Sequence, residues 1–395
     1  MGPVRTSRLW AFFSSVLCSL LTGCVIASPG DAPTADPGLA IQGTIQGGQQ
    51  AIVGAHVYLL AAGATGNAGP GIAASVLNAS HSLLTSVSGS TTLDTSGGAT
   101  KGDYYVTSGA NGGFNITGDY SCTPNTQVYV YAVGGDAGSG TNSAAGLMAL
   151  LGNCPSLGTF QFATPFVFLN EVSTVAAAYS IAGYATDATH VSSSGTALAR
   201  MGIANAFANS TNLEALATGI ALTTTPAGNG TVPQAEINTL ANILASCVNS
   251  TGPSSTQCST LFTNTKSNGS TGTKATDTVT AGINIAHNPA ANLAMLFPLA
   301  SPTPPFQPAL SAQPSDFTVA LSFTGGGIDS PFSLAVDGVG NVWMVNSNSG
   351  SVSEMNGVTG AAISPIGGFT GNGLTAPFAI AIDSFGNAWV VNASV

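Results

Sequence analysis

The stretch "PFSLAVDGVGNVWMVN", Pro331 to Asn346, returns as "PFAIAIDSFGNAWVVN", Pro377 to Asn392. Nine of the sixteen positions are identical, and the copies lie 46 residues apart. Pro331 matches Pro377, Asp337 matches Asp383, Gly340-Asn341 matches Gly386-Asn387, and Trp343 matches Trp389. Each copy reads as strand, turn, strand. "SLAVD" and "AIAID" alternate apolar residues with the period of a pleated strand. Asp-x-x-Gly-Asn is a tight turn: Gly accepts positive φ, and the Asp side chain accepts backbone N–H groups. "NVWMVN" and "NAWVVN" return, "GSVSEMN" supplies a third strand, and "GFTGNGLTAP" crosses to the next unit.

A period of about 40–50 residues with this strand content predicts propeller blades. The motif P-x-x-(I/V/L)-A-(I/V)-D-x-x-G-N-(V/A)-W-(V/M) resembles NHL-type and virginiamycin-B-lyase-type propellers of six or seven blades, over about residues 317–395. The resemblance gives the repeated residues a scaffold role, with Trp343 and Trp389 expected to pack between blades. Closed propellers have about 4–8 blades. Here about one and a half are present, so the expectation is an incomplete β-propeller: a truncated chain, or one closed by an oligomer or a partner.

The leader "MGPVRTSRLWAFFSSVLCSLLTGC", residues 1–24, places two arginines before an apolar run from Leu9 to Leu21. That is the shape of a secretory signal, short for a membrane span. Its end, Leu21-Thr22-Gly23-Cys24, resembles a bacterial lipobox. The resemblance implies cleavage before Cys24 and acylation of its thiol and amine, and each buried methylene then contributes ~0.8 kcal/mol to anchoring. Residues 25–37 form a Pro/Ala/Asp tether. No Asp follows Cys24, which favours an outer membrane where the host has one.

The chain has 395 residues, 44% hydrophobic but only 6% charged, with 16 acids against 6 bases. Once the leader is removed, Lys101, Arg200, Lys266 and Lys274 are the remaining bases. No basic patch can be built from them, so nucleic acid is not an expected partner. Four cysteines remain beyond Cys24: Cys122, Cys154, Cys247 and Cys258. Three pairings are possible. Cys122–Cys154 and Cys247–Cys258 are favoured because each stays within one expected domain, and disulfides suit an exported chain. There is no C-x-x-C, and His56, His81, His190 and His287 are scattered singly, so neither a metal site nor a cofactor is expected.

Between leader and repeats the texture changes once. Residues 38–168 read as strands: "GAHVYLLAAG", "GDYYV", "GGFNI", and the clearest, "TQVYVYAVGG", where Val128, Val130 and Ala132 alternate with Tyr129, Tyr131 and Val133. The pattern resembles the carboxypeptidase-regulatory or transthyretin-like β-sandwich, with an Ala/Ser/Gly-rich insertion around 64–100. That resemblance implies a structural or adhesive module without catalysis. His56 is the single candidate for chemistry on these strands.

Residues 169–300 read as helices. "NEVSTVAAAYSIAGYA" has helical spacing, with Glu171 in the first turn to suit the dipole. "TVPQAEINTLANILASCVNS" is the strongest, with Thr231 as the expected cap and Ile237, Leu240, Ile243 and Leu244 as the apolar face. "SSTQCSTLFTNT" is a short helical segment, and "KATDTVTAGINIAHNPAANLAMLFPLA" is one long helix or two broken near Asn288-Pro289, beside His287. Asn170–Tyr184 resembles a stretch that recurs in exported bacterial proteins with propeller repeats, and carries no known activity. Residues 301–316 are a Pro-rich linker. Glu171, Asp187, Glu214, Glu236 and Asp277 are too far apart to form a local acid/base motif, and no G-x-S-x-G, phosphate loop, H-E-x-x-H or EF-hand pattern occurs.

The expected architecture is therefore multi-domain α+β: a β-sandwich, a helical domain and an incomplete propeller. The expected function is a non-enzymatic cell-surface lipoprotein, held to the membrane by its lipid and offering the propeller to a protein or glycan. A lyase or hydrolase of the virginiamycin-B-lyase kind is the alternative. It needs a general base and usually a metal, and this chain has no His after His287 and no Lys or Arg after Lys274. A non-functional truncated product is the second alternative.

Overall fold

The strand Gln127–Val133 is apolar on both faces: Val128, Val130 and Ala132 point one way, Tyr129 and Tyr131 the other, and all five are buried. Such a strand needs cover on two sides. A computed structural model of the protein describes residues 41–86, 91–117, 120–160, 166–300 and 304–393. The main strands are β1 (Ile41–Gly47), β2 (His56–Ala61), β3 (Tyr104–Thr107), β4 (Gly113–Ile116), β5 (Gln127–Val133), β6 (Gly146–Asn153) and β7 (Val167–Leu169). The repeats add β8 (Pro331–Val336), β9 (Val342–Asn346), β10 (Ser351–Met355), β11 (Pro377–Ile382) and β12 (Ala388–Asn392). The helices are α1 (Glu171–Ile181), α2 (Ala197–Asn209), α3 (Gln234–Val248), α4 (Thr256–Asn264), α5 (Thr278–His287) and the single turn α6 (Leu293–Leu296). The fold is mixed α+β, and no closed barrel occurs among the described residues.

One sheet runs β3-β2-β5-β6, antiparallel throughout. In a second, β1 lies between β4, antiparallel, and β7, parallel. Val57, Leu59, Val128, Val130, Leu147 and Ala149 of the first sheet share a core with Ile41, Ile45, Phe114, Ile116, Val167 and Leu169 of the second. The opposite face of the first sheet carries Tyr58, Leu60, Tyr129, Tyr131, Met148 and Leu150. Ala177, Ala178 and Ile181 of α1, Ile203 and Phe207 of α2, and Val279 and Ile283 of α5 cover it.

Helix α1 is the centre of this arrangement. Its other side, Val172, Val175 and Ala176, packs with Ile237, Leu240, Ile243 and Leu244 of α3. A helix apolar all round belongs in an interior. Its start is fixed by a capping box: Asn170 accepts from the Ser173 amide at 3.0 Å, and Ser173 Oγ accepts from the Asn170 amide at 3.1 Å. Packing thus crosses the boundary drawn at 168/169. The helices also satisfy the edge of β6. Thr174 Oγ1 accepts from the Met148 amide at 3.0 Å, Thr278 Oγ1 accepts from the Gly146 amide at 2.9 Å, and Ser173 Oγ donates to the Met148 carbonyl at 2.9 Å. An edge that might pair with another chain is closed by hydroxyls.

Two local expectations change. Helix α3 begins at Gln234 with Pro233 before it, and Thr231 is not its cap. Thr231 instead lies in a two-residue strand, Gly230–Thr231, paired with Ser322–Phe323, so its backbone is committed to a ladder. The Pro-rich stretch is extended but not free. Asn242 exchanges hydrogen bonds with the Phe306 backbone, Asn238 donates to the Pro308 carbonyl, and Thr239 accepts from the Leu310 amide. These buried polar side chains of α3 hold it down.

The repeats form the sheets β8-β9-β10 and β11-β12. The crossover closes the edge of β10: Val352 and Phe369 exchange both backbone hydrogen bonds, at 3.0 and 2.8 Å. The two units touch through Phe332 and Phe378, whose ring centres are 4.6 Å apart. Trp343 stacks on Phe369. Trp389 does not pack between blades and is 65% exposed, because no described residue stands to it as Phe369 stands to Trp343.

Candidate functional site

Where the tyrosine face of the first sheet meets the start of α5, the layers part and leave a cleft of about 980 Å³. Its walls come from segments distant in sequence, among them β2 with His56 and Tyr58, the stretch 69–74, the loop 94–100, β5 with Tyr131, the turn 186–189, and the approach to α5 from Ser267 to Asp277. Three carboxylates, Asp94, Asp187 and Asp277, line it beside a single lysine, Lys274.

Each carboxylate is built in by its own loop. Asp94 accepts from Tyr58 Oη (2.9 Å), Ser96 Oγ (2.6 Å), the Ser96 amide (2.8 Å) and Thr100 Oγ1 (2.8 Å). Burial opposes its charge, but these donors outweigh burial and hold the carboxyl at about 2. Asp187 pairs with His190 Nδ1 at 2.8 Å and accepts from the amide and hydroxyl of Thr189. Burial again opposes ionisation, and again the bonds win and lower the pKa. Asp277 caps α5, accepting from the Thr280 amide at 3.0 Å and the Thr280 hydroxyl at 2.7 Å. Here burial prevails, with the nearby Asp187 adding to it, and the pKa rises.

The aromatic side is ordered differently. His56 stacks on Tyr105 with ring centres 3.7 Å apart, and burial lowers its pKa against the pull of Asp94. Tyr58 and Tyr131 lie nearly parallel at 6.2 Å. Burial raises the pKa of both hydroxyls, and for Tyr131 the charges of Asp277 and Asp187 add to it. Tyr131 is 5% exposed, lines the cleft, and its hydroxyl has no hydrogen-bond partner among the described residues. His287 at the margin places Nε2 2.7 Å from the Ala182 carbonyl oxygen, a backbone contact that holds α5 against the end of α1.

Among the residues singled out in the sequence, Cys24 lies outside the described residues. Of three possible cysteine pairings the chain takes Cys122–Cys154 and Cys247–Cys258. In the repeat, Asp337 Oδ1 accepts from the Val339 and Asn341 amides at 3.0 and 2.9 Å, and Oδ2 from Trp343 Nε1 at 3.1 Å. Asp383 does the same with Phe385, Asn387 and Trp389, each at 2.9 Å. Gly340 and Gly386 supply the positive φ, 95° and 83°. Pro331 and Pro377 open their strands opposite Asn346 and Asn392.

Glu171 stands in the first turn of α1, as expected, and is fully buried there. Both its oxygens accept from the Gly48 amide, at 3.0 and 2.9 Å, and burial pushes its pKa up to about 8. Burial pushes Glu214 up to about 8 as well.

The cleft gathers Asp187 and Asp277, which are 90 residues apart in the chain, with Asp94 and Tyr131, which sequence reasoning did not single out. The signal for Asp277 was local: Asp before Thr-x-Thr is a helix cap. No local signal marks Tyr131 as different from Tyr129. The described residues contain no group of three or more His, Cys, Asp or Glu suited to a metal ion, and no helix among them is long and apolar enough to cross a membrane. No family model, curated protein or solved structure matches this chain.

Proposed function

We propose that this chain is an exported bacterial envelope lipoprotein, anchored through Cys24, that acts by binding rather than by catalysis. Its NHL-like repeats are the interaction module, and the partner is a protein or glycan. The observation that carries this reading is the use of Asp337 and Asp383. Their oxygens are committed to their own turns and to Trp343 and Trp389, so the repeated acids hold scaffold and are not free as bases. What the repeats offer outward is neutral and apolar: Phe332, Leu334, Phe378 and Trp389 are exposed. Two disulfides support residence in an oxidising compartment.

The anchor and the module are tested separately. Labelling cells with an alkyne palmitate should tag the wild type and spare Cys24→Ala, and equal labelling removes the anchor. The full chain should retain envelope glycans or proteins on an array. Leu334→Asp combined with Val336→Asp, both exposed on β8, should abolish retention without changing the melting temperature of the body. Retention unaffected by that pair moves binding away from the repeats.

A further inference from the structure

We propose that the cleft beside α5 binds an organic ammonium ion, a primary amine or polyamine whose N–H groups are taken up by Tyr131, Asp187 and Asp277. The site is independent of the repeats. Three carboxylates face the cleft against one lysine, and Lys274 is exposed with its ammonium 3.3 Å from Thr263 Oγ1. Asp94 and Asp277 have no cationic partner among the described residues; their donors are hydroxyls and amides. Asp187 has His190 beside it, while Asp94 is held ionised by neutral donors alone, so the cleft carries net negative charge inside low-dielectric walls, which concentrates cations.

Tyr131 distinguishes a site from a patch of acids. Its side chain is more than nine-tenths buried, yet its hydroxyl reaches the cleft without a partner. The hydroxyl is not one of the sealed, unpaired polar atoms of the described core; it opens on the cleft with no protein partner among the described residues, so a donor that enters the cleft can bond to it. Ring faces do not provide the contact, because Tyr58 and Tyr131 are packed within the sheet-helix core. The rims of the rings, with their oxygens, and the carboxylates are what a ligand meets. That geometry rewards N–H donors and gives little to a quaternary ammonium, which binds through aromatic faces. A neutral sugar would leave the charge unanswered.

The test is calorimetric titration of the full chain at low salt with spermidine, tetramethylammonium and glucose. Spermidine should bind, and tetramethylammonium at least tenfold more weakly. Tyr131→Phe removes a hydroxyl that has no internal partner, so the fold should be kept while spermidine affinity falls roughly tenfold. Asp277→Asn, which keeps a capping side chain, should do the same. Asp329→Asn, in the repeats, should change nothing. The proposal is overturned if spermidine gives no heat at millimolar concentration, if tetramethylammonium or glucose binds as well, if Tyr131→Phe and Asp277→Asn both leave affinity unchanged, or if Asp329→Asn weakens it equally.

Discussion

Strand β5 in the body and strand β12 in the repeats have similar sequences of apolar residues, "QVYVYAV" and "AWVVN", and opposite surroundings. In β5 six of seven residues are buried, with a second sheet on one side and helices on the other. In β12 no residue is buried. The difference teaches that strand pattern sets the ladder but not the cover. The body obtains cover from chain far away in sequence, through α1, α2 and α5. The last hairpin, β11-β12, obtains most of its order from within: an Asp-centred turn, a Trp indole bonded back to it, and a short ladder.

The largest test of this contrast is a pair of truncations. Tyr129→Ala empties a fully buried ring site and removes hydrogen bonds to Ser80 and the Ala188 carbonyl. It should cost about 3–5 kcal/mol in chemical denaturation. Trp389→Ala, exposed and bonded only to its own turn, should cost under about 1 kcal/mol. Comparable losses would mean that the repeats are packed as the body is.

A second test uses the two fully enclosed glutamates of the body. Glu171 and Glu214 have pKa values raised from 4.5 to about 8. The folded state keeps their protons where the unfolded chain releases them. Their contribution is therefore fully present below the unfolded value and is lost as pH rises from about 4.5 through about 8. Asp94 acts oppositely and only in acid, its contribution being lost as pH falls from 3.8 through about 2. The body should be most stable near pH 4, between the two windows, and lose on the order of several kcal/mol by pH 8. Glu171→Gln should remove roughly a third of that loss, because Glu214 and Glu236, the latter raised to about 7 by burial and Asp316, remain. A flat profile in the wild type would show that these carboxyls are not shielded from water.

The smallest effect sharpens the repeats. Asp337→Ala should loosen the first hairpin by about 1–2 kcal/mol, read as faster amide exchange at Val339 and Asn341, and leave the melting of the body unchanged. Asp383→Ala should speed amide exchange at Phe385 and Asn387 in the second hairpin. An effect of either on the body's melting would couple the two regions.

Much of this was legible from short-range pattern. The alternation in 127–133 marks the strand, Gly and Asp spacing marks the repeat turn, and keeping each cysteine pair within one expected domain favoured the pairs that form. The same alternation held more than it yielded, because both of its residue sets are apolar: the valine face meets a sheet and the tyrosine face meets helices. Nothing near 130 says that the second cover comes from residues 171–287. The cleft was illegible for the same reason, since Asp94, Asp187 and Asp277 meet only after the helices dock. Thr231 was misread because a cap and a two-residue strand look alike in sequence, and the deciding partner is Ser322.

Hydrogen exchange of the full chain, read by mass spectrometry, compares the two regions in one experiment. Amides of Val128–Val133 should exchange only through global unfolding, while those of Ala388–Asn392 exchange orders of magnitude faster at the same pH. Equal protection of β5 and β12 would contradict the account, because it would mean that the repeat hairpins are covered as thoroughly as the sheet inside the body.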